Sequence, residues 1–135
     1  MAQGEKIVIC EDYQDLLETL TDRLTHEGYN VVAIQPGTDP HVSMGAVLDD
    51  LAKNRDAFAA VFDFHYVDFT LASIVRSIQE AGWAWTSPIV VASGKDIDRL
   101  EYWTDPKEIV YLKKPFKTAT LLETLRGFHA RSSSL

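Results

Sequence analysis

Four short apolar runs, each followed directly by a polar residue, constrain the fold of this chain more than any other feature. The four junctions are Ile7–Cys10 with Glu11 and Asp12, Ala60–Phe62 with Asp63, Ile89–Ala92 with Ser93, and Ile109–Leu112 with Lys113 and Lys114. Runs rich in Val and Ile are typical of strands that are buried on both faces of a parallel sheet. Such strands end at one shared edge, so these polar residues are expected to meet there.

Amphipathic segments separate these strands, and one further strand is predicted over Tyr29–Ile34. Leucine, isoleucine and valine recur at helical spacing between the strands. The predicted helical stripes are Leu16, Leu17, Leu20 and Leu24; Met44, Val47, Leu48 and Leu51; Leu71, Ile74, Val75 and Ile78; and Leu121, Leu122, Leu125 and Phe128. A short helix over Asp96–Trp103 completes five strand–helix repeats. This alternation indicates an α/β fold with a parallel sheet covered by helices on both faces.

Local signals predict where the helices begin and end. Asp12 is the expected N-cap of the first helix and Thr118 that of the last. Gly28 and Gly82 are expected to end the first and third helices. The third strand is predicted from about Phe58 to Phe64, and the polar segment from Arg131 onward is predicted to fray.

Composition narrows the classes of function. The 135-residue chain has a net charge of −7, which disfavours nonspecific binding to nucleic acid or to anionic lipid. No apolar run is long enough to span a bilayer, and no signal peptide is visible, so no membrane insertion and a cytoplasmic location are expected. The single cysteine, Cys10, is expected to be a small core residue.

The polar residues at the strand ends favour phosphoryl chemistry around Asp63. Three carboxylates at one edge repel one another unless a cation is present, and oxygen ligands suit Mg²⁺, with Mn²⁺ as an alternative ion. A carboxylate can also form an aspartyl phosphate. Lys114 and Ser93 could then supply an ammonium and a hydroxyl to the phosphoryl oxygens. An isolated Asp would be a helix cap or a solvated acid, and Ser93-Gly94 alone would be a turn.

These residues together resemble the receiver domain of two-component response regulators. The resemblance rests on Glu11-Asp12, Asp63, Ser93 and Lys114-Pro115-Phe116, each at a strand end, and covers about Lys6 to Phe128. It implies a flavodoxin-like (βα)5 doubly wound parallel sheet with strand order 2-1-3-4-5. It also implies a single receiver domain over residues 1–135 with no output domain.

The resemblance implies a role for each site residue. Asp63 would accept the phosphoryl group, while Lys114 and Ser93 would bind its oxygens. Asp12, Asp63 and the backbone carbonyl of His65 would ligate Mg²⁺, with Glu11 acting through bound water.

Two further features follow from the same resemblance. Tyr111 would be a switch aromatic acting with Ser93, although a plain core or rim aromatic is an equal interpretation. The peptide bond between Lys114 and Pro115 would be cis.

The implied function is a phosphoacceptor switch in a phosphorelay, without turnover of a separate substrate. Its phosphodonor would be a histidine kinase or a histidine phosphotransfer protein. A downstream protein would bind the surface formed by the helix over Asp96–Trp103, the fifth strand and the last helix. A homodimer is compatible with this scheme, and direct binding of nucleic acid is not expected.

The chain departs from the family pattern after Asp63, where Val67–Leu71 contains neither the usual proline nor the usual glycine. This departure keeps a second hypothesis open, namely an interaction module that is not phosphorylated. A small Mg²⁺-dependent phosphatase is a third hypothesis. Such phosphatases usually carry a second acid two residues after the nucleophile, and this chain has His65 at that position. This difference disfavours the phosphatase hypothesis.

Overall fold

A computed structural model describes residues 4–11, 13–36, 40–63, 71–93 and 104–133 of the chain. Its strands are β1 (Lys6–Glu11), β2 (Asn30–Ile34), β3 (Ala59–Asp63), β4 (Ile89–Ser93) and β5 (Ile109–Lys113). Its helices are α1 (Gln14–His26), α2 (Pro40–Lys53), α3 (Leu71–Ala81) and α4 (Thr118–Ser133). The helix predicted over Asp96–Trp103 lies outside the described residues.

The five described strands form one parallel sheet in the order β2-β1-β3-β4-β5, which confirms the predicted strand order. The register aligns Glu11 with Asp63 between β1 and β3, and Asp63 with Ala92 between β3 and β4. All the strands run the same way, so their carboxyl ends form one edge of the sheet. The fold therefore brings β1, β3, β4 and β5 to a common edge.

Strand residues alternate between two apolar layers, one on each face of the sheet. One layer packs Val8, Cys10, Ala60 and Phe62 against α2 and α3, and the other packs Ile7, Ile9, Ala59 and Val61 against α1 and α4. Each fully buried Leu or Ile contributes about 1.5–3 kcal/mol to the free energy of folding. Cys10 is fully buried in the first layer, as expected for a core residue.

Glycines end two helices as predicted. Gly28 has a φ of 99° and donates its N–H to the carbonyl of Thr25, while Tyr29 donates to Leu24. These bonds form a Schellman motif, which satisfies carbonyls at the end of α1. Gly82 has a φ of 83° and follows the last residue of α3.

Four local predictions were wrong. The N-cap of α1 is Tyr13, one residue after Asp12, and its side chain makes no capping hydrogen bond among the described residues. Leu16 is 41% exposed because it lies in the first turn of α1, away from the buried face of that helix. Thr118 is the first residue of α4 rather than its cap, and Arg131 lies within α4, which continues to Ser133.

No helix in the described ranges is long and apolar enough to cross a membrane.

Candidate functional site

Two carboxylates lie side by side at the carboxyl edge of the sheet. Glu11 is the last residue of β1, Asp63 is the last residue of β3, and the two are register partners. Neighbouring strands are about 4.8 Å apart, so in-register side chains on one face are close neighbours. Glu11 is 0% exposed and Asp63 is 3% exposed. Two ionised carboxylates in adjacent buried positions repel each other, and a nearby positive charge offsets this repulsion.

Lys114 supplies such a charge. Its ammonium group pairs with Oδ1 of Asp63, and only 17% of its side chain is exposed. Lys114 follows β5 directly, and the bond between Lys114 and Pro115 is cis, the isomer predicted from the sequence. The three side chains carry two negative charges and one positive charge when all are ionised. A net negative charge surrounded by buried oxygen donors is the environment in which a hard divalent cation binds.

Glu11 also shapes the loop that leads into α1. Its Oε1 accepts a hydrogen bond from the backbone N–H of Tyr13 at 2.9 Å. Tyr13 in turn starts the helix, because its carbonyl accepts the N–H of Leu17. The sequence did not predict this contact, since a main-chain donor carries no side-chain signal. This hydrogen bond therefore holds the start of α1 beside the pair formed by Glu11 and Asp63.

Ser93 lies on β4, the strand next to β3, and Tyr111 lies on β5, one strand further along the sheet. Ser93 ends β4, where it is the register partner of Lys113, the residue before Lys114. Tyr111 lies in β5, half-buried, and packs against the apolar layer that contains α2 and α3. Their backbone positions match the sequence prediction, while their roles as phosphoryl ligand and switch stay predictions.

Two of the predicted metal ligands lie outside the described residues. They are Asp12, which follows Glu11, and His65, within the range 64–70 after Asp63. Among the residues that the structure describes, no three His, Cys, Asp or Glu side chains come together in a way that could hold a metal ion. The charged side chains of the site that the structure describes are thus those of Glu11, Asp63 and Lys114.

The side chains at this site are of the types that phosphoryl chemistry uses. A carboxylate such as that of Asp63, at the carboxyl edge of a parallel sheet, can act as a nucleophile toward phosphorus. The ammonium of Lys114 lies where it can neutralise charge on a phosphoryl group attached to Asp63. Glu11 adds a second oxygen donor for a cation beside the same carboxylate.

Comparison with known proteins gives structural matches only. No protein-family model matches the sequence, and no curated protein matches it significantly. A CheY-like response regulator receiver domain protein from Methanospirillum hungatei JF-1 superposes with a TM-score of 0.71 at 16% identity, covering 96% of this chain and 98% of that one. The chemotaxis response regulator CheY4 of Vibrio cholerae gives a TM-score of 0.68 at 18% identity, covering 93% and 99% of the two chains.

A third structure is described with a metal. The receiver domain of the sensor histidine kinase PA1611 from Pseudomonas aeruginosa PAO1 has a magnesium ion coordinated in its active site cleft. It superposes with a TM-score of 0.67 at 20% identity, covering 93% of this chain and 97% of that one. Nearly complete coverage of both chains in each pair means that the whole domain is matched. The chain therefore has the fold of the response regulator receiver domains.

Proposed function

We propose that this protein is a phosphoacceptor signalling switch in which Asp63 receives a phosphoryl group. The observation that carries the proposal is the buried carboxylate pair of Glu11 and Asp63 with Lys114 on Oδ1 of Asp63. A buried pair of acids is costly for stability, and structural needs alone would favour an apolar pair at these positions.

The transfer reaction needs only positioning and charge neutralisation. A carboxylate oxygen of Asp63 forms a bond to phosphorus while the phosphorus–nitrogen bond of a phosphohistidine donor breaks, and its electron pair stays on the imidazole nitrogen. Lys114 offsets the charge of the phosphoryl oxygens. Ser93 would donate its hydroxyl to another phosphoryl oxygen.

A divalent cation fits the described donor set. Two buried carboxylates offer hard oxygen ligands, and their charge exceeds that of Lys114. Asp63 and Asp12 would hold Mg²⁺ with the carbonyl of His65, and Mn²⁺ would fit the same donors. When bound, the ion would neutralise charge between the carboxylates and the phosphoryl group.

The phosphorylated form would act by binding rather than by turnover. Phosphorylation adds charge at the edge formed by β3, β4 and β5 and creates new bonds to Ser93 and Lys114. These bonds would bias a two-state equilibrium of the adjoining loops and of Tyr111. The donor would be a histidine kinase or a histidine phosphotransfer protein, and the reader would be a protein that distinguishes the two states.

The test is intact-mass spectrometry after incubation with Mg²⁺ and acetyl phosphate. A single phosphoryl adduct is expected on the wild type and none on Asp63→Asn, whose side chain has the same shape. Asp56→Asn is the matched control, since Asp56 is exposed and lies away from the site, and it should be phosphorylated like the wild type.

Absence of an adduct, together with absence of Mg²⁺-dependent binding of beryllofluoride, would overturn the proposal. That result would favour an interaction module that works without phosphate. Continuous hydrolysis of phosphate esters would instead indicate a phosphatase.

A further inference from the structure

A pocket of about 540 Å³ lies at the amino edge of the sheet, opposite Asp63. Its lining residues come from the segments that precede β3, β4 and β5 and from the end of α4. They are Phe58, Thr86, Ser87, Pro88, Asp105, Lys107, Glu108, Phe128 and Arg131. Pockets of about 300–1,000 Å³ with an apolar body and a few polar groups are typical of small-molecule sites. The phosphorylation site does not use this pocket, and the predicted partner surface shares with it the end of α4.

The pocket has a fixed aromatic floor. The ring of Phe58 stacks on the ring of His129, with centroids 4.1 Å apart. This contact leaves the Phe58 ring little freedom to move. Phe128 is 3% exposed and lies beneath the guanidinium of Arg131, 5.5 Å from its ring centroid. The half-buried Phe58 is therefore the aromatic ring that an apolar group in the pocket could contact, since Arg131 already covers Phe128.

Main-chain contacts hold the two segments that frame the pocket. The N–H of Lys107 donates to the carbonyl of Thr86 at 2.8 Å, and the N–H of Ile89 donates to Glu108 at 2.9 Å. The hydroxyl of Ser87 donates to the carbonyl of Ala57 at 2.6 Å. Because these bonds order the rim in advance, a ligand would lose less free energy in ordering it.

The charges at the rim fall into two groups. Arg131 and Glu108 neutralise each other, with two guanidinium N–H groups donating to one carboxylate oxygen at 3.1 and 2.5 Å. Asp105 and Lys107 stand two positions apart on the same segment, and neither forms an ion pair with any residue that the structure describes. The pocket therefore presents one available anion and one available cation above an aromatic floor.

We propose that this pocket binds a zwitterionic amino acid with a large apolar side chain. The ligand's ammonium would face Asp105, its carboxylate would face Lys107, and its side chain would cover Phe58. The rim favours a zwitterion over a phosphate-bearing ligand, because its two cations are matched by two carboxylates and leave no excess positive charge for a polyanion. Binding here would be independent of the phosphorylation of Asp63.

The test uses L-phenylalanine as the probe and two-dimensional NMR of the ¹⁵N-labelled full chain. Saturable shifts are expected for the amides of Lys107, Glu108 and Arg131 in the millimolar range of ligand. Phenylacetate and phenethylamine each lack one charge and are expected to bind about fivefold more weakly, the ratio for an exposed ion pair worth about 1 kcal/mol. Glycine, which lacks the apolar side chain, is expected to give no saturable shift.

Two substitutions and two controls decide whether the charges act as proposed. Lys107→Gln and Asp105→Asn should each weaken phenylalanine binding about fivefold. Lys53→Gln and Asp49→Asn remove exposed charges from α2 and should bind like the wild type. The NMR spectrum reports the fold of every variant.

Lack of saturation by phenylalanine would overturn the proposal. So would equal binding of phenylalanine and glycine, or unchanged affinity in both pocket variants.

Discussion

The ammonium of Lys114 pairs with the carboxylate of Asp63, whose register partner on the neighbouring strand is the fully buried carboxylate of Glu11. The fold thus places one cation against two buried anions. If Lys114 is lost, two like charges are left close together with little access to water. The stability of the domain consequently depends on how this small group of charges is balanced.

Replacement of Lys114 by Met should lower the free energy of unfolding by about 2–4 kcal/mol, since breaking a buried pair leaves a buried charge uncompensated. Urea unfolding at neutral pH measures the change. Lys113→Met is the matched control, because Lys113 is the exposed neighbour in the chain and its substitution should change stability little. Equal effects of the two substitutions would contradict a structural role for the Lys114–Asp63 pair.

Mg²⁺ should stabilise the wild type against unfolding, because an ion that binds only the folded state shifts the equilibrium by mass action. At a Mg²⁺ concentration ten times the dissociation constant, the free energy of unfolding rises by about 1.4 kcal/mol. The gain should vanish in Asp63→Asn, which removes one of the two described carboxylates of the site. Thermal unfolding with and without Mg²⁺ measures the gain in the wild type and in Asp63→Asn. A Ca²⁺-free buffer that contains a chelator gives the baseline stability without a divalent cation. An equal gain in the Asn variant would place the ion elsewhere.

Two substitutions of Glu11 should separate its charge from its hydrogen bond. Glu11→Gln keeps an oxygen that can accept the N–H of Tyr13 and removes the repulsion from Asp63, so stability should equal or exceed that of the wild type. Glu11→Ala also loses the acceptor, and it should be about 1–3 kcal/mol less stable than the Gln variant. Urea unfolding of the pair measures the difference. If Gln and Ala are equally stable, the bond to Tyr13 does not hold α1.

The charged centre could be predicted from the sequence because each member follows an apolar run. Ile7–Cys10 and Ala60–Phe62 can be buried on both faces only as central strands, and parallel strands place Glu11 and Asp63 at one edge. Lys114 follows from the same argument on β5. The fold and the backbone positions of Ser93 and Tyr111 were predictable for the same reason.

Contacts that depend on main-chain groups or on distant residues could not be predicted. The bond from Tyr13 to Glu11 uses a backbone N–H, which every residue except proline carries. Leu16 matches the helical spacing of its neighbours and is nevertheless exposed, because it lies in the first turn of α1, away from the buried face of that helix. The amino-edge pocket joins Phe58 to Arg131, and no local pattern connects them.

Gly127 should tolerate alanine despite a close contact. A Cβ at this position would stand 3.0 Å from Nη1 of Arg131, the mobile end of a long side chain. Alanine is favoured over glycine in a helix by about 1 kcal/mol, and displacing the exposed Arg131–Glu108 pair costs at most about the same amount. The free energy of unfolding should therefore stay equal or rise by up to about 1 kcal/mol.

A double-mutant cycle isolates the two effects at Gly127. With Arg131→Gln already in place, Gly127→Ala should give the full helical gain, because the guanidinium no longer lies over the glycine. Urea unfolding of the four proteins measures the coupling. A strongly destabilised Gly127→Ala in both backgrounds would mean that the backbone, rather than Arg131, limits the space.

The phenol of Tyr29 should make stability sensitive to alkaline pH. Burial, followed by the nearby carboxylate of Glu5, raises the pKa of Tyr29 above its ordinary value of 10.0. Above pH 10 the unfolded chain loses this proton before the folded protein does, so the stabilisation that is complete below pH 10 declines as pH rises towards the folded pKa.

Tyr29→Phe lacks this ionisation. It also lacks the 3.1 Å hydrogen bond to Nε2 of His129, so at neutral pH it should be about 0.5–1.5 kcal/mol less stable than the wild type. The difference between the two proteins should shrink above pH 10, as measured by urea unfolding across the pH series. A difference that stays constant across that range would show that the ionisation of Tyr29 is not linked to folding.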